Sequence, residues 1–380
     1  MKVLIIATGI APSMGGVGHY ERQLLPHLAT SLAARGCEVT VLLSRDGHLS
    51  HLDAGVKVVR LPVPRSPGII RILAEHAYIP ALGFRTDVTV ALDHRLPLLP
   101  VKVGRTLVVV HDVFPLQQRA GDFPVDTNIV RRWEYCHSIE RAIKTADILA
   151  ADSAFTASQI ARFFAATAER TSVIPLGVDH QRFHPPHGIE EVERLRSLYR
   201  LPTQFYLFVA PLSFHKNLRL IVDAYSSGDL SGQHMLPVVL VGASRNGDLP
   251  DPTVQLIDRN GIGEYFQFLG YVPDADLPVL YGAARALIHP ALHEGFGLPP
   301  LEAMSCGTPV IASNRTAIPE VVGDAALLID PTNPESLLEA LRTVNDESIR
   351  ELLVAKGLER AQLFSWERSA DLMVHLILGE

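Results

Sequence analysis

Cysteine is scarce: Cys37, Cys136 and Cys306 stand far apart in 380 residues. Three thiols without a C-x-x-C pair build neither a disulfide framework nor a tetrahedral zinc site, and they fit a reducing, cytoplasmic compartment. Long apolar runs are missing too. None approaches the roughly 20 residues that span a bilayer, and the apolar stretch in the opening MKVLIIATGIAPSMGG is too short for a signal peptide. A dense basic footprint is also absent. The net charge of -7 divides into +4 over residues 1–185 and -11 over the rest, which disfavours nucleic acid as a partner. Finally, G-x-G-x-x-G is lacking. GGVG at Gly15–Gly18 has the wrong spacing, and no acidic residue ends the second strand as a ribose anchor, so a dinucleotide cofactor is disfavoured.

What is present is an alternating α/β chain. The length exceeds the ~250–300 residues at which single cores stop growing, so two domains are expected. With 47% hydrophobic and 20% charged residues the chain is that of a folded protein. KVLIIAT reads as a strand buried on both faces, HYERQLLPHLATSLAARG as a helix closed by Gly36, and CEVTVLL as the next strand, together a βαβ unit. Pro62, Pro64, Pro67 and Gly68 punctuate a loop before IIRILAEHAYI. TLVVVHD and ADILAAD follow as strands, and SVIPLGVD as the last strand and turn of the first half. The boundary is placed near residues 185 to 190, in RFHPPHGIEE. Alternation then restarts with QFYLFVA, KNLRLIVDAYSS, LPVVLVG, YFQFLGYV, ARALIHPA and TPVIAS, giving two doubly wound α/β domains in series. SWERSADLMVHLIL closes the chain as a helix with Ser365 as its N-cap.

Ligands bind beyond the carboxyl ends of strands in open α/β sheets. At those ends GGVG before a helix offers backbone N–H groups to an anion, or is simply a tight turn. Lys216, in APLSFHKNL, follows a strand and opens a helix where a phosphate could sit; alone it reads more readily as a solvated surface lysine, a balance that its place at a strand's carboxyl end shifts back. His111 and Asp112 close a buried strand, and His111 is either a core histidine or a proton relay. In HEGFGLPPLEAMSCGTPVIAS, Glu294 lies in a glycine loop and Glu302 in the first turn of a helix that opens at Pro299 and Pro300 and ends at Gly307. Two carboxylates can accept from hydroxyls at both ends of a nucleotide sugar while loop amides and Lys216 hold its diphosphate. A macrodipole role explains Glu302 alone and leaves Glu294 and the glycines unaccounted for.

At this point the sequence resembles the retaining glycosyltransferases of family 4, also called glycosyl transferases group 1, which have the GT-B fold. Glu294 and Glu302 match the E-x7-E pattern within EGFGLPPLEAMSCGTPVIAS, and the likeness continues through IPEVVGDAALLIDP. VIPLGVDHQRF, HDVFPL and GGVGHYERQL also resemble the family, so the likeness spans nearly the whole chain. It implies two Rossmann-like domains facing across a cleft: residues 1–187 binding the acceptor, residues 188–362 binding the nucleotide sugar, and a final helix, 363–380, packing back on the first.

The resemblance further implies roles. Glu302 would hold the ribose; Glu294, the backbone of Phe296 and Gly297, and Leu298 beside them, the donor sugar. Lys216 and the amides of Gly15 and Gly16 would meet the diphosphate, backbone at Tyr271 and Val272 the base, and His111 the sugar near its reacting carbon. Gly18, His19 and Asp112 are acceptor-side candidates. The family's arginine ahead of the lysine is replaced by Ala210 and Pro211, leaving His215 as the nearby basic residue. Implied too are a metal-independent hexosyl transfer without cofactor, mannose from GDP-mannose first and a UDP-hexose second, and a saccharide or lipid-diphosphate acceptor in polysaccharide or glycoconjugate synthesis. The mildly positive first half and PRSPGIIRIL permit a lipid-diphosphate acceptor and peripheral contact at the cytoplasmic membrane face, although PRSPGIIRIL reads more readily as a solvated loop. A nucleotide-sugar epimerase and a non-catalytic sugar-nucleotide-binding subunit remain as alternatives.

Overall fold

The apolar runs become parallel strands covered on both faces. The computed structural model describes residues 1–10, 16–47, 49, 52, 55–62, 79, 81–94, 96–97, 104–124, 129–228, 235–243 and 252–380, with the side chains of 129–132 excepted. Gly15, Pro64, Pro67, Gly68 and all but the last residue of IIRILAEHAYI lie outside the described residues.

The chain divides into two units, Met1–Gly177 with Ser365–Glu380, and Val178–Phe364. In the first, β1 (Lys2–Ile6), β2 (Glu38–Leu43), β3 (Lys57–Arg60), β4 (Val88–Ala91), β5 (Arg105–Val110), β6 (Ile148–Ala151) and β7 (Thr171–Val173) form one sheet. Its order is β3-β2-β1-β4-β5-β6-β7, and every pairing is parallel. In the second, β8 (Tyr206–Val209), β9 (Val238–Val241), β10 (Phe266–Gly270), β11 (Ala286–His289), β12 (Val310–Ser313) and β13 (Ala326–Ile329) run in the order β10-β9-β8-β11-β12-β13, again all parallel. Both are the doubly wound order, in which the chain reverses its direction of growth next to the first strand. The reversal falls between β1 and β4 in one sheet and between β8 and β11 in the other.

Burial explains the strand composition. Val88–Ala91, Val238–Val241, Ala286–His289 and Val310–Ser313 are buried at every position, as strands with helices on both faces must be. The edge strand β3 keeps little buried surface.

The division falls earlier than the proline-rich loop chosen from the sequence. Arg182 and Phe183 donate backbone N–H to the turn at Asp179, and Ser305 Oγ donates to the Phe183 carbonyl at 2.7 Å. These bonds fix residues 179–183 within the second unit. Gly177 belongs to the first, where a Cβ would stand 2.2 Å from the Trp366 nitrogen, so only glycine fits. In that first unit the C-terminal helix Trp366–Leu378, capped by Ser365, donates from Ser369 Oγ to the Pro175 carbonyl at 2.6 Å, and Trp366 meets Tyr20 edge-on at 5.8 Å. Among the described residues no helix is long and apolar enough to cross a membrane.

Candidate functional site

Two loops meet at the carboxyl end of the second sheet, at its reversal point. β8 leads through Ala210–Ser213 into a single 3-10 turn, Phe214–Lys216, and β11 leads into Pro290–Gly297. Lys216 therefore does not open a helix as expected from the sequence. Asn217 intervenes with φ 61°, and the helix starts at Leu218. Asn217 Nδ2 donates to the carbonyls of Pro290 at 2.9 Å and Pro331 at 2.8 Å. The Leu292 N–H donates to the His215 carbonyl at 2.8 Å. These bonds hold the two loops together.

Lys216 Nζ consequently lies 2.6 Å from Glu294 Oε1, and His289 Nε2 lies 2.9 Å from the same oxygen. The Glu294 N–H donates to Thr316 Oγ1 at 3.2 Å. Thr316 stands at φ 60°, a left-handed conformation that costs a β-branched residue on the order of 1–3 kcal/mol. Burial disfavours ionisation of Glu294, yet the Lys216 ammonium and the His289 ring outweigh it and hold the carboxyl well below its ordinary range. Lys216 and Glu294 thus form a partly buried ion pair.

Gly297 starts the next helix from φ 117°, and a Cβ there would stand 2.7 Å from Ile318 Cδ1. The helix runs Leu298–Ser305, placing Glu302 as its fifth residue and not in its first turn. The reason is Gly297: its left-handed backbone lets Leu298 begin the helix ahead of the two prolines, so the macrodipole has little hold on Glu302. Glu302 is 7% exposed and accepts from the Tyr281 hydroxyl at 2.8 Å. Burial raises it, against the opposing Tyr281 bond and Arg182, to about 7. Phe296 is buried with its ring edge-on to Phe364 at 5.9 Å. Tyr271, 79% exposed, and buried Val272 follow β10 at the same end of the sheet.

The first unit gathers a second set of groups at the carboxyl end of its sheet. His111, just past β5, places Nδ1 2.7 Å from Asp152 Oδ2 and Nε2 3.0 Å from the Leu92 carbonyl. The Tyr20 ring stands edge-on at 4.6 Å. Burial favours the neutral ring; Asp152, the Leu92 carbonyl and Asp93 together reverse this and raise His111 to about 9. Burial likewise raises Asp152, with the His111 charge opposing. Asp112 Oδ1 accepts from the Phe114 N–H at 2.9 Å and so starts the helix Phe114–Ala120. GGVG does not simply precede its helix: Gly16 and Gly18, with His19, are already inside Gly16–Ala34. The buried stripe of Tyr20, Leu24, Leu25, Leu28 and Leu32 carries the helix back over these weak formers. The first-turn amides still lack partners within the helix, and a Cβ on Gly16 would meet nothing within 4 Å.

Sequence reasoning missed four residues that shape these groups: His289, Asn217, Thr316 and Asp152. Only Asp152 and His289 carried a signal, as polar residues ending apolar strands.

Similarity to known proteins accords with this arrangement. Residues 193–358 match the family described as glycosyl transferases group 1, and residues 15–182 match glycosyltransferase family 4. An O-antigen chain mannosyltransferase B of Escherichia coli is 38% identical over 271 residues, 71% of this chain and 69% of that protein. The serotype-specific mannosyltransferase WbdA of Escherichia coli is 29% identical over 71% of this chain, which spans only 33% of WbdA. Among solved structures, sucrose-phosphate synthase from Thermosynechococcus elongatus superposes with a TM-score of 0.75 at 23% identity, covering 100% of this chain and 98% of that one; this likeness shows the fold. The chain belongs to the family 4, group 1 glycosyltransferases of GT-B type and is a transferase enzyme.

Proposed function

We propose that the protein transfers a hexose with retention from a nucleotide sugar, mannose from GDP-mannose in the first instance, to a saccharide or lipid-linked acceptor in glycoconjugate synthesis. The observation that carries this reading is the Lys216–Glu294 pair at the reversal point of the second sheet, 2.6 Å apart. There an ammonium can receive the diphosphate while the carboxylate receives sugar hydroxyls. Glu302, on the helix that follows the Glu294 loop and bonded to Tyr281 of a neighbouring helix, is assigned to the ribose, and the mannosyltransferase names of two relatives support the choice of sugar.

In this reading the sugar–oxygen bond breaks with its electron pair leaving on the diphosphate, and Lys216 stabilises that developing charge. The acceptor hydroxyl attacks from the same face and passes its proton to the departing phosphate oxygen, so no metal is required. His111, held as a cation with both ring nitrogens engaged by Asp152 and the Leu92 carbonyl, is not a base. The test is a thermal-shift panel of GDP-mannose, UDP-glucose, UDP-N-acetylglucosamine, their nucleotides and NAD. A ligand at 100 times its dissociation constant adds about 2.7 kcal/mol. Stabilisation by GDP-mannose above the others supports the donor; stabilisation by UDP-glucose alone replaces it; response to NAD alone refutes the reading.

A further inference from the structure

His289 ends β11, a strand whose other members are Ala286, Leu287 and Ile288, and it is 2% exposed. An imidazole buried at such a place is costly unless its polar atoms are engaged. Nε2 lies 2.9 Å from Glu294 Oε1. Glu294 is held ionised and can only accept, so the facing ring nitrogen carries the hydrogen. Lys216 Nζ occupies the same oxygen at 2.6 Å. No hydrogen bond reaches Oε2 among the described residues.

We propose that His289 is a positioning residue for Glu294: by engaging Oε1 from a rigid strand end it turns Oε2 outward to accept the hydroxyls of the donor sugar. The inference rests on the donor-binding reading above and adds to it a division of labour. Lys216 is a flexible cation that is drawn to the diphosphate when a donor binds, and its hold on Glu294 then weakens. His289 cannot leave, because β11 pairs with β12 through His289 and Ala312 and the next residue, Pro290, is tied by Asn217. The carboxylate therefore keeps its orientation at the moment it is needed, which is what a supporting group must supply.

The experiment uses calorimetric titration of the full chain with GDP-mannose and, separately, with GDP. His289→Phe and His289→Met remove the donor with little change in volume, and His289→Gln restores an N–H. The wild type is expected to prefer GDP-mannose to GDP. The two apolar variants should lose about tenfold of that preference while binding GDP as before, the scale of one hydrogen bond to a charged group. His289→Gln should recover most of it, and in a Glu294→Ala background His289→Phe should change nothing further. Either apolar variant keeping the full preference, or weakening both ligands alike without rescue by glutamine, overturns the positioning role. A wild type with no preference for GDP-mannose overturns instead the donor reading on which the role rests.

Discussion

His111 places Nδ1 2.7 Å from Asp152 Oδ2 and donates through Nε2 to the Leu92 carbonyl at 3.0 Å, and with the ring raised to about 9 the two form a partly buried ion pair. Other groups act on it: Asp93 raises His111, and Asp112 raises Asp152. In Asp152→Asn, burial is opposed only by the Leu92 carbonyl and Asp93, and His111 should fall from about 9. Nuclear magnetic resonance of the ring measures this directly. The sign for stability follows. A raised folded value stabilises the protein fully below 6.5 and loses that contribution as pH climbs through about 9. The wild type should therefore show falling unfolding free energy over that window, a fall that Asp152→Asn lacks.

Lys216→Ala removes the cation proposed to meet the leaving diphosphate and leaves Glu294 with His289 alone. The expected loss in kcat/KM is about 2 kcal/mol or more, the scale of one charge-stabilising group. Steady-state kinetics with the donor named by the thermal-shift panel decide it, and unchanged turnover removes Lys216 from the site.

Burial raises the Glu302 carboxyl to about 7. In the proposed role the ionised carboxylate accepts from ribose hydroxyls, and protonation removes part of that capacity. Donor affinity should rise between pH 6 and 8, a range of about one unit on either side of that value. Glu302→Gln should bind more weakly than the wild type at high pH and show a flat profile. A wild-type affinity that falls over the range contradicts this role.

Gly297→Ala places a Cβ at φ 117° and 2.7 Å from Ile318 Cδ1. The strain should cost about 1–3 kcal/mol in chemical denaturation and disturb the start of the helix that carries Glu302. An alanine variant as stable as the wild type shows that the backbone there is not fixed by glycine.

Much of the fold is legible because a parallel strand buried on both faces must be a short apolar run, as in KVLII, RTLVVV and VVLV. β3 was not legible: KVVR is an exposed edge with charged ends and no such run. Strand order was not legible either, since it is decided by pairing between distant segments. At the site His111 stands out as a polar residue closing an apolar strand, Lys216 and Glu294 as charged residues in the loops after strands, and Glu302 by its spacing from Glu294. Their supports do not. Asn217 bridges carbonyls 73 and 114 positions away, and His111 finds Asp152 41 positions on. Such partnerships exist only once the sheet has assembled.

The measurement that tests the account most directly is hydrogen–deuterium exchange of the full chain with and without saturating GDP-mannose. Binding at the reversal point of the second sheet should slow exchange in the segments Ala210–Asn217 and His289–Glu302. Protection lying elsewhere while both segments are unaffected would contradict the site.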